Sequence, residues 1–116
     1  MLILRGLSDV DYRQETIVIN KMRAIHPGEI LRDEIEALDY SASKFASKLH
    51  VPTNRITSIL NGQRAITADT ALKLAKFFGT TPEFWINLQT AYDLKIAIAA
   101  YGRIIEQEVE ERKKAA

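Results

Sequence analysis

The chain has 116 residues, 47% of them hydrophobic and 27% charged, a composition that fits one soluble domain around a single core. Its net charge of +1 excludes a general nucleic-acid coat, so any contact with a polyanion must come from a local patch. The absence of cysteine excludes disulfides and thiolate metal sites and fits a reducing cytoplasm, and no apolar run of about 18 residues is present to cross a membrane.

The start of the chain, MLILRGLSDVD, is apolar over too few residues and carries no charged leader, so no secretory signal is expected. Residues 1–23 read as an arm. Within it residues 16–19, TIVI, are a β-prone run too short to be stable alone, which either pairs with a strand of a second copy or partner or stays loose.

Helical character begins after the arm. Pro27 suits a first helical position, His26 takes the N-cap by default, and Ile25 can staple to Ile30 across it. Ile30, Leu31, Ile35 and Leu38 are expected to form a buried stripe. Glu29, Asp33, Glu34 and Glu36 are expected on the water side, near a helix start whose dipole favours acids. These carboxylates have no partner at ligand or catalytic spacing, so neither a metal nor a cofactor is expected.

Residues 41–62, SASKFASKLHVPTNRITSILNG, read as two short helices joined by a tight turn. Ser41 is a good N-cap, and Tyr40 can staple to Phe45. Phe45, Ala46 and Leu49 share one face of the first helix, with the small Ala46 where two steeply crossing helices come closest. The turn follows at His50, Val51 and Pro52; Val51 plugs the angle, and Pro52 stops one helix while suiting the entrance to the next. In the second helix Ile56, Ile59 and Leu60 recur at helical spacing, and Asn61 with Gly62 supplies a left-handed stop. Thr53, Asn54, Arg55, Thr57 and Ser58 are left on the opposite face, short polar side chains of the kind that reach hydrogen-bonding groups in a major groove. Residues 41–65 carry Lys44, Lys48, Arg55 and Arg64 and no acid, so the local charge excess sits where phosphates would be met. The pattern is that of a DNA-binding helix-turn-helix.

Beyond it, Thr67 is placed to cap a fourth helix in which Leu72, Leu74, Ala75, Phe77 and Phe78 cover more than half the circumference, and Gly79 ends it. Thr81, Pro82 and Glu83 then give a cap, a first-position proline and an early acid in succession. Phe84, Trp85, Leu88, Ala91 and Tyr92 line the fifth helix. This is more aromatic surface than four small helices need: either it closes the core, or Phe84, Trp85, Leu88 and Tyr92 form a dimer interface. Past Leu94 nothing firmly stops the helix, and Ala91, Leu94, Ile98, Tyr101 and Ile105 continue an apolar seam. The charged end EQEVEERKK offers Glu108 and Arg112 as a favourable pair four residues apart.

Taken together, HPGEILRDEIEAL, the helix-turn-helix and NGQRAITADTALKLAKFFGTTPEFWINLQTAYDL closely resemble the HigA (also called VapI-like) antitoxins of the Xre superfamily, over residues 26–94. The helix-turn-helix alone would suit many repressors, whereas residues 64–74 and 79–94 are the family-specific part. The resemblance implies an all-α, five-helix lambda-repressor-like (Xre) domain at residues 24–94, between the arm at 1–23 and a C-terminal helical extension at 95–116. It further implies a homodimer, binding of double-stranded operator DNA, repression of its own operon and neutralisation of a cognate RelE-like toxin that cleaves messenger RNA. By position it turns Thr53, Asn54, Thr57 and Ser58 towards bases and Arg55, Asn61 and Arg64 towards phosphates. His50 stands where many relatives have glycine, and Ala42 where many Xre domains have a phosphate-clamping glutamine. Three rival readings remain beside it: a stand-alone Xre repressor without a toxin, an interaction module that no longer meets DNA, and an enzyme. The last has only His26 and His50 as imidazole bases, with no nucleophile pattern beside either.

Overall fold

The local signals that start and stop helices act where the sequence places them. The computed structural model describes residues 23–113, in which α1 (Pro27–Ala37), α2 (Ala42–Leu49), α3 (Thr53–Leu60), α4 (Ala68–Phe78) and α5 (Pro82–Glu108) follow in order with no strand. His26 caps α1 in a full capping box: its Nδ1 accepts the Gly28 amide at 2.9 Å, and the Glu29 carboxylate accepts the His26 amide at 3.2 Å. Ser41 caps α2 through the Lys44 amide at 3.0 Å, and Thr81 caps α5 through the Phe84 amide at 3.2 Å. Thr67 holds the cap position of α4 with its backbone alone, its carbonyl accepting the Ala71 amide at 2.8 Å. His50 adopts the left-handed conformation at φ 58°, ψ 47° that the turn requires, a region histidine enters more readily than most residues, and Gly62 and Gly79 close α3 and α4 at φ 75° and 73°.

The core gathers Leu31, Ile35, Phe45, Ala46, Leu49, Ile56, Ile59, Leu60, Ile66, Ala71, Leu74, Ala75, Trp85 and Leu88 from all five helices and the loop after α3. Aromatic rings extend it: Phe77 meets Phe45 edge-on at 5.3 Å, and Phe78 bridges Phe45 and Trp85, each at 5.7 Å. Tyr40 and Phe45 both pack on Phe77, so the staple closes through a third ring.

Four expectations are corrected. Leu38 is 42% exposed, because α1 ends at Ala37 and the C-cap residue turns off the apolar stripe. Glu34 is buried at 2% exposure: it lies three residues from Leu31, hence on the core face, and no buried side-chain polar atom of the described residues lacks a hydrogen-bond partner. Leu72 is 60% exposed, pointing away from Leu74 to the rim of a groove of about 400 Å³ edged by Lys48, Lys73 and Lys76. The Glu108 and Arg112 pair does not sit on one helix, since α5 ends at Glu108.

The fifth helix runs unbroken through residue 94, so the extension continues the domain's last helix with no joint between them. At 27 residues it is about 40 Å long, and no helix of the described residues is long and apolar enough to cross a membrane. The β-prone run at residues 16–19 lies outside the described residues.

Candidate nucleic-acid interface

α3 buries Ile56, Ile59 and Leu60 and thereby turns its other face outward. Thr53 and Asn54 are exposed at its first turn, and Thr57 and Ser58 are half-buried one turn on. The Thr57 hydroxyl donates to the Asn54 carbonyl at 3.3 Å, a bond that still leaves its oxygen able to accept. Two anchors fix how α3 is held. Gly28, in the first turn of α1, lies so close to the Ile59 carbonyl that no side chain fits between them. Arg32, also on α1, donates to the Leu60 carbonyl at 3.4 Å and to the Asn61 side-chain oxygen at 3.2 Å. Asn61 is thus engaged from behind.

The loop after α3 is set by α5. Gln89, buried, accepts the Ile66 amide at 2.8 Å through Oε1 and donates to Asp93 at 2.9 Å through Nε2. His26 touches the same loop: its ring packs within 4 Å of the Cβ position of Gly62, and it meets Tyr92 edge-on at 4.9 Å. With Nδ1 accepting from Gly28, the neutral ring carries its proton on Nε2. Burial is the main cause holding its pKa below the ordinary value, against the opposing pull of the Asp93 and Glu29 carboxylates. Glu29 is itself held below the usual carboxylate range, chiefly by Arg23, whose guanidinium reaches both carboxylate oxygens at 2.7 and 3.0 Å.

The cations separate into free and tied. Lys44, Lys48 and Arg64 are exposed, and the Lys44 ammonium sits 4.5 Å from the Tyr40 ring centroid. Arg55 is different, for its Nη1 donates to Asp69 of α4 at 2.9 Å. Arg55, Arg64, Ala65, Thr67, Asp69 and Thr70 line an open cleft of about 270 Å³ beside α3. The acid-free run of sequence ends at Ala68, and the next residue, Asp69, is returned by the fold to the motif. Arg32, Gln89 and Asp69 all support this surface and went unread in the sequence, because each acts on a residue 14 to 29 positions away and leaves no local pattern.

Two of the four residues expected at a dimer interface are buried in the chain's own core. Trp85 is fully buried, its Nε1 donating to the Thr80 hydroxyl at 2.9 Å, and Leu88 is buried at 8% exposure. Both close the chain's own core, and a fully buried ring has no surface to offer a second copy. Phe84 and Tyr92 remain half-exposed, while Leu94, Ile98, Tyr101 and Ile105 are exposed by half or more. No group of three or more His, Asp or Glu side chains among the described residues is placed to hold a metal.

Against known proteins, the helix-turn-helix family profile matches residues 31–85. Virulence-associated protein I of Dichelobacter nodosus is 54% identical over 79 residues, 67% of this chain and 73% of that protein. Among solved structures, an addiction module antidote protein of the HigA family from Coxiella burnetii is 63% identical and superposes with a TM-score of 0.76, over 78% of this chain and all of that one (100%). Pseudomonas aeruginosa antitoxin HigA, solved with the higBA promoter, is 44% identical with a TM-score of 0.75 over 78% of this chain and 100% of that one. With the five-helix fold and the outward polar face of α3 in place, this chain belongs to the HigA antitoxins of the Xre helix-turn-helix family.

Proposed function

We propose that this protein is an antitoxin that binds operator DNA as a dimer through α3, represses its own operon and neutralises a RelE-like, messenger-RNA-cleaving toxin in the cytoplasm. The observation that carries the DNA half is the face of α3: Thr53, Asn54, Thr57 and Ser58 lie off its buried side, with Arg64 in the cleft next to Arg55 and an exposed Lys44 on α2. Hydroxyl and amide groups read base edges, and the flanking cations meet phosphates and supply salt-dependent affinity. The promoter complex of the Pseudomonas aeruginosa relative, 44% identical to this chain, supports the same use here.

The dimer and toxin half rests on the outer part of α5. Leu94, Ile98, Tyr101 and Ile105 make one apolar row, and Ile96, Ala100 and Ile104 make a second, offset around the helix. A helix apolar over so wide an arc is made to be covered on more than one side. The first row serves a second copy, which sets two reading helices on half-sites about 34 Å apart and calls for a palindromic operator. The second row is left for the toxin, laid into a groove of that partner.

The test is mobility shift on the protein's own promoter across a salt series, together with rescue of cells arrested by the neighbouring gene product. Binding that weakens steeply with salt, and rescue, are expected. Binding without rescue leaves a stand-alone repressor, and no salt-dependent binding removes the DNA reading.

A further inference from the structure

The ion pair between Arg55 and Asp69 is out of place on a surface meant for a polyanion. Asp69 stands at the first turn of α4, its side chain 64% exposed, in the same cleft as Arg55 and Arg64. Near phosphates a carboxylate repels the ligand, and an exposed pair of this kind adds little to folding. Its geometry has another consequence. The bond runs from Nη1 of Arg55 alone, which leaves the Nε and Nη2 donors of a planar five-donor fork uncommitted while one edge of that fork is anchored to α4. The Arg55 side chain is only 29% exposed, so most of its surface is packed against the protein.

We propose that Asp69 is a positioning residue that fixes the Arg55 guanidinium for a directed contact with operator DNA, and thereby contributes to sequence preference and not merely to fold. The proposal rests on the DNA-binding reading above. An arginine swinging freely on its stem is a diffuse cation that any duplex attracts, whereas one locked by a carboxylate offers its remaining donors in one direction and favours the site that presents matching acceptors. In the Arg55 side chain the same charge therefore changes from a non-specific to a specific contributor when Asp69 holds it.

Charge alone and positioning predict opposite signs, which makes the test sharp. The full-length protein is titrated against a duplex carrying its own promoter and against a shuffled duplex of the same composition, as wild type, Asp69→Asn, Asp69→Glu, Arg55→Ala and Arg55→Ala/Asp69→Asn. Asp69→Asn is expected to weaken promoter binding about five- to tenfold while shuffled-duplex binding stays the same or tightens, so that the ratio between them falls; Asp69→Glu restores part of it. In the Arg55→Ala background the same change is expected to cost nothing on the promoter and to tighten both duplexes slightly. Uniform tightening of both duplexes by Asp69→Asn in the wild-type background overturns the proposal, as does an equal promoter loss with Arg55 absent. Failure of the wild type to bind the promoter in a salt-dependent way is a separate result, and it strikes the DNA-binding reading itself.

Discussion

A Cβ atom added at Gly28 would stand 1.9 Å from the Ile59 carbonyl oxygen and 2.8 Å from its carbonyl carbon. Backbone lies on both sides of that gap, so no rotamer can relieve the overlap and α1 must move from α3. Gly28→Ala is expected to destabilise by at least about 1–3 kcal/mol. A domain of this size loses about 4–8 °C of melting temperature per kcal/mol, which a thermal scan reads directly. Gly102→Ala is the control of opposite sign. A Cβ there meets only the Ile98 side chain at 3.4 Å, an ordinary contact, so the helix-propensity gain of up to about 1 kcal/mol should raise stability.

His26 makes the fold sensitive to acid. Its pKa is lowered from 6.5, mainly by burial, and the Nδ1 lone pair that caps α1 exists only in the neutral ring. As pH falls below about 6.5 the unfolded chain takes up this proton before the folded one does. The contribution is therefore fully present above 6.5 and is lost as pH drops through the lowered folded value. Denaturant midpoints measured from pH 7.5 to 5 should fall more steeply in the wild type than in His26→Asn, which keeps a cap acceptor without a titrating ring. Equal slopes in the two proteins would assign the acid sensitivity to other groups.

Gln89 ties the loop bearing Arg64 to α5. In Gln89→Leu the buried Ile66 amide loses its acceptor, at a cost of about 1–3 kcal/mol, and Asp93 loses its donor. Amide hydrogen exchange at Ile66 should accelerate more than that of Leu74 in the core. Promoter affinity should fall further than Tm alone explains, because the loop no longer holds Arg64 beside α3.

What the sequence showed plainly was how the helices begin and how the turn between α2 and α3 is made, both decided within one helical turn. Ser41, Thr81, Pro27 and the left-handed His50 act through neighbours three or four residues away, and the five helices follow from them and from the apolar spacing of Phe45, Ala46, Leu49, Ile56 and Ile59. Whether an apolar side chain faced its own core or a partner was not readable in this way. Trp85 and Ile98 are both apolar positions of one helix, yet one is fully buried and the other 66% exposed, because Trp85 lies where α4 packs on α5 and Ile98 lies further along the helix, past the buried Leu88 and Gln89. At the candidate DNA surface the polar face of α3 was visible from spacing. The residues that aim it were not, since Arg32, Asp69 and Gln89 reach α3 and its loop from other helices.

Substitutions on α3 should separate reading from attraction. Thr57→Ala with Ser58→Ala removes hydroxyls facing outward and leaves every charge in place, so binding to the promoter should lose about 1–3 kcal/mol of discrimination per good contact while binding to unrelated duplex is unchanged. Arg64→Ala or Lys44→Ala should weaken both duplexes together and reduce the slope of log K against log salt by about one. An unchanged footprint in the double hydroxyl variant would remove those two residues from the reading surface.

The two apolar rows of the α5 extension give the last separation. Ile98 and Ile104 are exposed to a similar degree, 66% and 51%, on the outer stretch of α5, past the Trp85 and Leu88 positions that close the core. A glutamate at either site should therefore leave the domain's melting temperature almost unmoved, as exposed substitutions away from packed contacts usually do. Ile98→Glu puts a charge in the row assigned to the second copy. Covered by an apolar partner, an unpaired carboxylate is strongly unfavourable, so sedimentation should show monomers at micromolar concentration and promoter affinity should fall with loss of the paired half-site. Ile104→Glu leaves that row intact, and dimerisation and promoter binding should survive while rescue of toxin-arrested cells is lost. If Ile104→Glu dissociates the dimer as Ile98→Glu does, the whole arc belongs to one self-association surface. The toxin then docks elsewhere, and a chain ending at Leu94 becomes the variant that decides whether the helical core alone still rescues.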